Sequence, residues 1–383
     1  MSADRDGLLL ERAGFEAERA EWLFTAPNPR VGALAFRGGH RVGEGAHRVW
    51  GGPHAEEAAL RAAGAWDQAA VAPRAGVVDE MVVSLEPCTS SGGDKKRPAC
   101  AELLLQAGVR RVVVGALDPD PRHHGRGVAM LQAAGVEVLV RQDPGGSFAR
   151  VNAAFLRGQA HPERPWVLLK WAASVDGKTA AQGGVSQWIS GSASRAEVHR
   201  LRASTDAVLA GPGTLSADDP ELTARPEGEP LARQPLRVLF DPRAQLPAGA
   251  RARRASGARL LVCRDDVPAP TANAEEAVLR LSPDAAGRLD LVALLRHLRR
   301  GHGVRRLLVE GGARLHGALF DAGLVDAIVR YEAPLLLGGG LGAVLGGGAA
   351  APASAPRLGH EERADLGADL RRAFQLLAPE AEA

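Results

Sequence analysis

The sequence predicts two α/β domains, and two observations lead to that prediction. The chain has 383 residues, which favours two domains of about 100–200 residues each. In both halves, short apolar runs with a strand pattern alternate with amphipathic helical runs. Such alternation implies a largely parallel sheet covered by helices. We expect a first domain over 1–145, a linker over 146–164, a second domain over 165–352 and a C-terminal tail over 353–383.

The first half alternates in this way from its start. Helical spacing over 7–20 is followed by a strand pair, 31–36 and a run near Val42, which a turn over 37–40 joins. An Ala-rich helix is predicted over 54–63. The remaining elements are a strand at 81–85, a helix at 101–108, a strand at 110–117, a helix at 125–134 and a strand at 136–140.

The second half repeats the pattern with more strands. The predicted strands lie at 166–174, 206–210, 236–240, 259–263, 305–309 and 325–331, and the predicted helices at 291–300 and 313–323. From about Leu341 the sequence becomes rich in Gly, Ala and Pro. We therefore expect a partly ordered tail, with room for a final helix or strand over 364–378.

The composition argues against several classes of protein. Lys and Arg number 47 against 45 Asp and Glu, and aromatic residues make up 4% of the chain, so a nucleic-acid-binding protein is not favoured. The three cysteines are too few for a disulfide framework. Because no apolar run approaches 18 residues, we expect neither a signal peptide nor a membrane span, and we expect a cytoplasmic protein.

One constellation predicts a zinc centre. The segment PHAEEAAL (53–60) begins a helix, LEPC (85–88) follows a strand, and a further cysteine begins the next helix. The pattern His-x-Glu, then Pro-Cys and a second Cys, is typical of zinc-dependent nucleobase deaminases. His54, Cys88 and Cys100 would hold Zn²⁺ and leave a fourth position for water, and Glu56 would be the catalytic proton carrier. The alternative is a surface helix and two buried thiols that fill the core.

Together with APNPRVGA (26–33) and with ALDPDP and GRG within 116–127, these motifs resemble the bifunctional deaminase–reductase family of riboflavin biosynthesis. The resemblance covers roughly 10–340. It implies an N-terminal cytidine-deaminase-like α/β/α domain and a C-terminal dihydrofolate-reductase-like α/β domain. It further implies that Asn28 contacts the substrate pyrimidine, that His47 belongs to the same site, and that Asp118 and Asp120 form a substrate-binding turn.

The loop between the two cysteines departs from the family pattern. It is TSSGGDKKRPA, eleven residues, longer than the family usually has and without the family's histidine. We expect Lys95, Lys96 or Arg97 to bind the substrate phosphate. The alternative is a solvated basic loop.

Four motifs in the second half are similar to the reductase domain of the same family: KWAASVDGKTA (170–180), SQWIS (186–190), GTLSADDPELTAR (213–225) and VEGGARLHGALFDAGLVD (309–326). VEGG joins a strand to a helix, so its backbone amides could meet a pyrophosphate. The residues alone do not specify NAD or NADP, but the resemblance implies NADPH. It also implies the residue roles. The substrate-binding residues would be Lys170, Ser186, Arg202, Leu222, Arg225 and Glu310. The cofactor-binding residues would be Ala173, Trp188, Thr214, Asp218, Gly312, Ala313, Arg314, Leu315, His316, Gly317 and Ala318.

The resemblance implies two successive reactions on a small phosphoribosylated pyrimidine. Zinc-dependent hydrolytic deamination of 2,5-diamino-6-(5-phosphoribosylamino)pyrimidin-4(3H)-one would precede NADPH-dependent reduction of the ribosyl to the ribityl side chain. An alternative is a reductase-only member in which the inserted loop has altered the deaminase domain. A nucleic-acid deaminase is a third hypothesis, which the balanced charge disfavours. The family also implies a homo-oligomer, a dimer or a tetramer.

Overall fold

The protein is described from a computed structural model, which covers residues 2–89, 98–121, 123–141, 147–152, 155–156 and 161–377. It divides into two compact units, 1–160 and 161–383. The division falls inside the predicted linker, 146–164. Within the described residues, no helix has the length and apolar character needed to cross a membrane.

The first unit contains one central sheet with helices on both faces. Its described elements are α1 (Ser2–Glu18), α2 (Trp22–Thr25), β1 (Gly32–Arg37), β2 (His40–Ala46), α3 (Ala55–Ala62), β3 (Trp66–Asp67), β4 (Ala72–Pro73), β5 (Glu80–Val83), α4 (Cys100–Gln106), β6 (Arg111–Val114), α5 (Arg126–Ala133), β7 (Glu137–Val140) and α6 (Ser147–Val151). The described strands order as β2-β1-β5-β6-β7. β5, β6 and β7 are parallel, and the β1–β2 hairpin lies antiparallel beside them.

Two apolar clusters hold these three layers together. Leu10 and Ala13 of α1 pack on one face of the sheet with Leu34 and Val82. On the other face Leu60 lies in a larger cluster with residues of α4 and α5. Helices α3, α4 and α5 have only seven or eight residues each. Helices this short are marginal alone, so their packing against the sheet stabilises them. The predicted α/β/α arrangement of this unit is confirmed.

Helix α3 approaches the sheet unusually closely because β2 carries two glycines. A Cβ on Gly43 would lie 2.4 Å from the carbonyl oxygen of Ala59, and one on Gly45 would lie 2.4 Å from its amide nitrogen. Only glycine permits this contact between backbones. The glycines thereby fix the start of α3, where His54 and Glu56 lie, against the sheet.

The second unit is built on a larger sheet. Its described elements are β8 (Trp166–Ser174), β9 (Lys178–Ala181), α7 (Ser192–Ala203), β10 (Ala207–Ala210), α8 (Pro212–Asp218), β11 (Leu236–Phe240), α9 (Arg251–Arg254), β12 (Arg259–Arg264), β13 (Glu276–Leu281), α10 (Leu291–His302), β14 (Arg306–Glu310), α11 (Ala313–Asp321), β15 (Ala327–Ala333), β16 (Gly340–Gly342), β17 (Leu358–Leu366) and β18 (Asp369–Leu376). The described sheet order is β13-β12-β11-β10-β14-β8-β15-β18-β17. All pairs from β13 to β15 are parallel, and β18 and β17 add antiparallel strands at one edge.

Parallel pairing explains why the central strands of this unit were easy to predict. β10 and β14 are buried at every position, as expected for strands covered on both faces. Helix α10 buries Leu294, Leu295 and Leu298 against the sheet. Asp290 caps its N-terminus by accepting from the amides of Val292 and Ala293 at 2.8 and 3.0 Å. The predicted α/β class of this unit is confirmed.

The C-terminal segment is more regular than the predicted tail, and the final helix or strand that was allowed over 364–378 is the strand β18. Within 353–383, residues 358–376 form the β17–β18 hairpin, and β18 pairs with β15 in the main sheet. Alternate residues of β18 are buried, four in all. Three of the four are polar or charged: Asp369, Arg371 and Gln375. Because the inward face is polar, the usual apolar alternation is missing from the sequence.

Candidate zinc centre and reductase site

Three side chains of the first unit converge as the sequence predicts for a zinc centre. His54 is the N-cap of α3, Cys88 lies in the loop after β5, and Cys100 begins α4. Their ligand atoms all lie within 4.8 Å of one another. The Cys88 sulfur also accepts from the Cys100 amide at 3.4 Å, so a thiolate there would lie against the start of α4, where negative charge is stabilised.

The spacing of these three atoms fits a tetrahedral zinc ion. Zn–N and Zn–S bonds of about 2.1 and 2.3 Å place nitrogen and sulfur roughly 3.6 Å apart. The Nδ1 atom of His54 lies 3.2 Å from the Cys100 sulfur and 3.7 Å from the Cys88 sulfur. A hydrogen bond with Cys88 and burial raise the pKa of the Cys100 thiol well above its usual value. Two neighbouring thiols, the buried Cys100 and the half-buried Cys88, are a donor set that a divalent cation would fit.

Glu56 lies within the same site. Its side chain is buried, in the first turn of α3, and it accepts a hydrogen bond from the Cys100 thiol. Burial, with a smaller contribution from Cys88, raises the pKa of Glu56 to about 7, although the charge of His54 opposes the shift. A carboxyl with this pKa can both take up and release a proton near neutral pH.

Asn28 and His47 form a hydrogen-bonded pair beside the candidate ligands. His47 Nδ1 lies 2.9 Å from the carbonyl oxygen of Pro53, and its Nε2 lies 3.2 Å from Asn28 Nδ2. A carbonyl can only accept, so Nδ1 carries the proton and Asn28 donates to Nε2. Burial, followed by the charge of His54, lowers the pKa of His47 to about 4. The neutral ring therefore orients the Asn28 amide, with Oδ1 as the remaining acceptor.

The turn with Asp118 and Asp120 follows β6, next to the Cys88 loop. The Asp118 carboxylate accepts from the amide of Asp120 at 2.9 Å, and burial raises the pKa of Asp118. Glu86, two residues before Cys88, accepts from the amide of Asp118 at 3.0 Å. The sequence does not predict a role for Glu86, which directly follows the apolar run MVVSL (81–85).

The basic residues of the loop, Lys95, Lys96 and Arg97, lie outside the described residues. Their expected contact with the substrate phosphate stays a prediction. The loop is described only at its ends, which carry Cys88 with Thr89 and Pro98 to Cys100.

In the second unit, Glu310 contacts two other predicted substrate-binding residues, Lys170 and Arg202. Glu310 ends β14, Lys170 lies beside it on β8, and Arg202 comes from α7. Arg202 Nη2 donates to Glu310 Oε2 at 3.0 Å, and Lys170 Nζ lies 3.4 Å from the same oxygen. Burial alone would raise the pKa of Glu310, but Arg202 and Lys170 overcome it and lower that pKa to about 2.

The segment from 221 to 225 adjoins this cluster. Arg202 Nη1 donates to the carbonyl oxygen of Thr223 at 2.9 Å. Arg225 pairs with Glu221 at 2.7 Å, and Leu222 is buried with a positive φ of 57°. Two arginines of a substrate site can bind one phosphate together when both guanidinium groups point to it. In the structure Arg202 directs its paired N–H groups to Glu310 instead, which leaves Arg225, at the more exposed end, for a phosphate.

Three predicted residues meet at the loop before α7. Ser186 Oγ donates to Asp218 Oδ1 at 2.6 Å, which joins a predicted substrate residue to a predicted cofactor residue. Trp188 is 69% exposed, with the Arg195 guanidinium 4.8 Å from its ring centroid. Trp188 is therefore not a core residue, and an exposed aromatic face is available to a ligand.

The predicted cofactor stretch 312–318 divides into two parts. Gly312, with a φ of 91°, is the N-cap of α11, and the following Ala313 and Arg314 face outward at the end of β14. Leu315, His316 and Gly317 are buried against protein, since a Cβ on Gly317 would lie 2.0 Å from the carbonyl oxygen of Leu345. Ala318 is exposed.

Next to this turn lies the matching turn after β10. The Thr214 hydroxyl would be 2.2 Å from a Cβ on Gly311, so α8 and α11 begin side by side at the carboxyl ends of neighbouring strands. Ala173, buried on β8, belongs to the same central part of the sheet. Two helix starts with their amides outward suit the phosphates of a dinucleotide.

The two units therefore have different chemical capacities. The first offers an imidazole, two thiols and a buried proton carrier, which suit a metal-assisted hydrolysis. The second offers a fixed cluster of charges, Lys170, Arg202 and Glu310, beside two helix starts. That arrangement suits binding and orientation of a substrate against a cofactor.

Comparison with known proteins agrees with both capacities. Residues 4–116 match the family described as cytidine and deoxycytidylate deaminase zinc-binding region, and residues 165–370 match the RibD C-terminal domain. The chain is 40% identical over 319 residues to the riboflavin biosynthesis protein RibD of Chlamydia trachomatis, covering 82% of this chain and 81% of that one. It is 36% identical over 351 residues to RibD of Escherichia coli, covering 87% and 89%.

Solved structures give the same picture. A RibD from Acinetobacter baumannii matches with a TM-score of 0.69 at 32% identity, covering 98% of this chain and 99% of that one. A diaminohydroxyphosphoribosylaminopyrimidine deaminase/5-amino-6-(5-phosphoribosylamino)uracil reductase from Thermotoga maritima matches with a TM-score of 0.66 at 27% identity, covering 98% and 100%.

Proposed function

The chain belongs to the RibD family, and from that membership we propose how its residues divide the two reactions. It is a bifunctional enzyme of riboflavin biosynthesis, with a zinc-dependent deaminase domain and an NADPH-dependent reductase domain. Its substrate is a small phosphoribosylated pyrimidine. The observation that carries the assignment is the convergence of His54, Cys88 and Cys100 beside Glu56, in a chain that also carries the RibD C-terminal domain.

We propose that the first unit deaminates 2,5-diamino-6-(5-phosphoribosylamino)pyrimidin-4(3H)-one. When bound by His54, Cys88 and Cys100, zinc would supply a Lewis acid that lowers the pKa of a water molecule. Glu56 would accept one proton of that water and deliver it to the ring nitrogen, and would then carry the remaining hydroxyl proton to the leaving amine, so that water is consumed and ammonia released. The buried position and raised pKa of Glu56 support this role.

Substrate contacts in this unit follow from the donors and acceptors nearby. Asn28 would offer Oδ1 to an N–H of the pyrimidine, while His47, with both ring nitrogens engaged by Pro53 and Asn28, would hold that amide in place. Asp118 and Asp120 would bind from the turn after β6. Lys95, Lys96 and Arg97 remain our candidates for the phosphate.

We propose that the second unit reduces the ribosyl group of the deaminated product. NADPH would supply the hydride when bound at the two helix starts, by the residues predicted from the resemblance. Glu310 would accept from the amine groups of the pyrimidine, with Lys170 and Arg202 fixing its orientation. Ser186 and Leu222 would complete the pocket, and Arg225 would bind phosphate.

The reductase-only alternative is not favoured. The three candidate ligands converge, and the deaminase zinc-binding region is matched over 4–116. We further propose a homo-oligomer, a dimer or a tetramer, in the cytoplasm. In support, none of the three cysteines forms a disulfide, and Leu336 in the apolar run after β15 is 77% exposed. Analytical ultracentrifugation tests the assembly.

A pair of neighbouring substitutions tests the deaminase assignment. Glu56→Gln removes the proton carrier and should lower the rate of ammonia release by about 10²–10⁴-fold, while zinc content and NADPH oxidation on the deaminated product stay unchanged. Glu57→Gln is the matched control, because that side chain pairs with Arg61 at 2.9 Å and should leave ammonia release within severalfold of the parent. Equal losses in the two variants, or none in Glu56→Gln, would refute the assignment.

A further inference from the structure

Glu86 is a buried carboxylate whose hydrogen bonds all point to one neighbouring segment. Glu86 is 5% exposed. Oε2 accepts from the amides of Asp118 at 3.0 Å and Gly125 at 2.9 Å, and Oε1 accepts from the amides of Gly127 at 2.7 Å and Val128 at 3.2 Å. Four backbone donors compensate the burial of one negative charge.

These amides belong to the turn after β6 and to the first turn of α5. Gly125 is the N-cap of α5 and has no side chain to cap the helix, so Glu86 supplies the cap from another loop. The approach is close, because a Cβ on Gly127 would lie 2.0 Å from the carbonyl oxygen of Pro87. The Glu86 loop and the start of α5 are thus fitted to each other.

The turn whose amides donate to Glu86 is also held by hydrogen bonds of its own. Besides the bond between Asp118 and the Asp120 amide, His124 Nδ1 lies 2.9 Å from the carbonyl oxygen of Asp118. The amides of His123 and His124 donate to the carbonyl oxygen of Asp120 at 2.8 and 2.9 Å. A displacement at Glu86 would therefore move the whole turn.

We propose that Glu86 is a positioning residue of the deamination reaction. It lies two residues before Cys88, and it fixes the Asp118–Asp120 turn relative to the loop that carries this zinc ligand. The inference rests on the proposed function, in which that turn binds the substrate. Glu86 acts through the turn and touches neither zinc nor substrate, so its loss changes substrate binding more than metal binding.

The test is Glu86→Gln in the full-length, zinc-loaded enzyme. Glutamine keeps the size, but its NH₂ group faces backbone N–H groups and cannot accept from them. We expect one zinc per chain, unchanged NADPH oxidation on the deaminated product, and a rise of at least about tenfold in the KM for deamination, with kcat within severalfold. Glu137→Gln is the control, since its side chain is 61% exposed in the same sheet, and should change neither constant.

A double variant distinguishes positioning from general stabilisation. Adding Glu86→Gln to Asp118→Ala should raise KM little beyond Asp118→Ala alone, because Asp118→Ala already removes the substrate-binding carboxylate that Glu86 is proposed to position through the Asp118 amide. If Glu86→Gln does not fold, Glu86→Asp is tested in its place. Aspartate retains the charge but is one methylene shorter, and we expect its KM for deamination to lie between that of the parent and the value predicted for Glu86→Gln.

Three results would overturn the proposal: an unchanged KM in the folded Glu86 variant, loss of zinc in parallel with activity, or additive effects in the double variant. Ammonia release by the unaltered enzyme is measured first. Its absence would refute the proposed function itself, whereas its presence with any of the three results refutes only the role of Glu86.

Discussion

The zinc centre and the reductase site present their chemistry in opposite ways. In the first unit, His54, Cys88 and Cys100 come from three separate elements, and their residue types alone specify a metal and a reaction class. In the second unit, the cofactor would meet backbone amides at two helix starts. The charged side chains predicted for that site do not specify a reaction class by their types alone. A site made of side chains can be recognised from sequence, whereas one made largely of backbone needs a family resemblance.

The comparison predicts that the two sites fail independently, and Cys88→Ser should show the largest effect. Loss of one thiolate should reduce zinc from about one per chain to near zero and lower ammonia release by more than about a hundredfold. NADPH oxidation on the deaminated product should not change. Metal analysis and the two separate assays measure these quantities.

Cys263→Ser is the matched control, because this free thiol is buried on β12 of the second unit. It should retain zinc and deamination. A Cys88→Ser enzyme that kept its zinc would contradict the ligand assignment.

Glu310→Gln should produce the converse pattern. Without the carboxylate, Lys170 and Arg202 lose their shared partner, and two cations face each other in a buried site. We expect kcat/KM for reduction to fall by roughly a hundredfold while ammonia release stays unchanged. Glu332→Gln, which removes a carboxylate paired with Arg330 on β15, should have little effect on either reaction. A parallel loss of deamination in Glu310→Gln would show that the sites are not independent.

These two experiments concern residues that the sequence predicted, and the limits of that prediction have physical reasons. Strand β10 and the centre of β14, residues 307–309, are predictable because burial on both faces leaves a continuous apolar run. Helix α7 was missed because its sequence, SASRAEVHRLRA, is largely polar. It buries Glu197 against Tyr331 and Arg371 and directs Arg202 to Glu310.

The candidate sites show the same limit. His54, Glu56 and the cysteines were identifiable because their types and spacing carry the chemistry. Glu86 was missed because its function depends on four backbone amides at 118–128, and no sequence pattern shows where backbone donors converge. The division of 312–318 into exposed and buried parts likewise depends on the contact between Gly317 and Leu345.

A smaller effect is expected from a substitution in the β17–β18 hairpin. Asp369 accepts from the amide of Gly191 at 2.7 Å and from the Ser194 hydroxyl at 2.5 Å, at the start of α7. Asp369→Asn removes this negative charge, and we expect the free energy of unfolding of the second unit to fall by about 1 kcal/mol, with a modest rise in the KM for reduction. Chemical denaturation measures the first quantity. The control is Asp365→Asn, at an exposed position of β17, and equal effects of both changes would contradict the capping role.

The smallest effect is a pH dependence at Glu310. Its pKa is lowered from 4.5 to about 2, so the ionised group stabilises the folded state above about pH 4.5, and that contribution is lost as the pH falls toward 2. The difference in unfolding free energy between the parent and Glu310→Gln should be largest at pH 7 and shrink below pH 4.5. A difference that grows on acidification would contradict the assignment of Glu310 as an ionised partner of Arg202 and Lys170.

Mass-spectrometric product analysis tests the central claim, two separate reactions in one chain, most directly. The substrate is 2,5-diamino-6-(5-phosphoribosylamino)pyrimidin-4(3H)-one, incubated with the zinc-loaded enzyme in the absence and in the presence of NADPH. Without NADPH we predict the deaminated phosphoribosylaminouracil and one ammonia per substrate. With NADPH we predict the ribityl product and one NADPH consumed per molecule. An unchanged substrate without NADPH would contradict the account. So would a reduced product that still carries the amino group at position 2 of the pyrimidine.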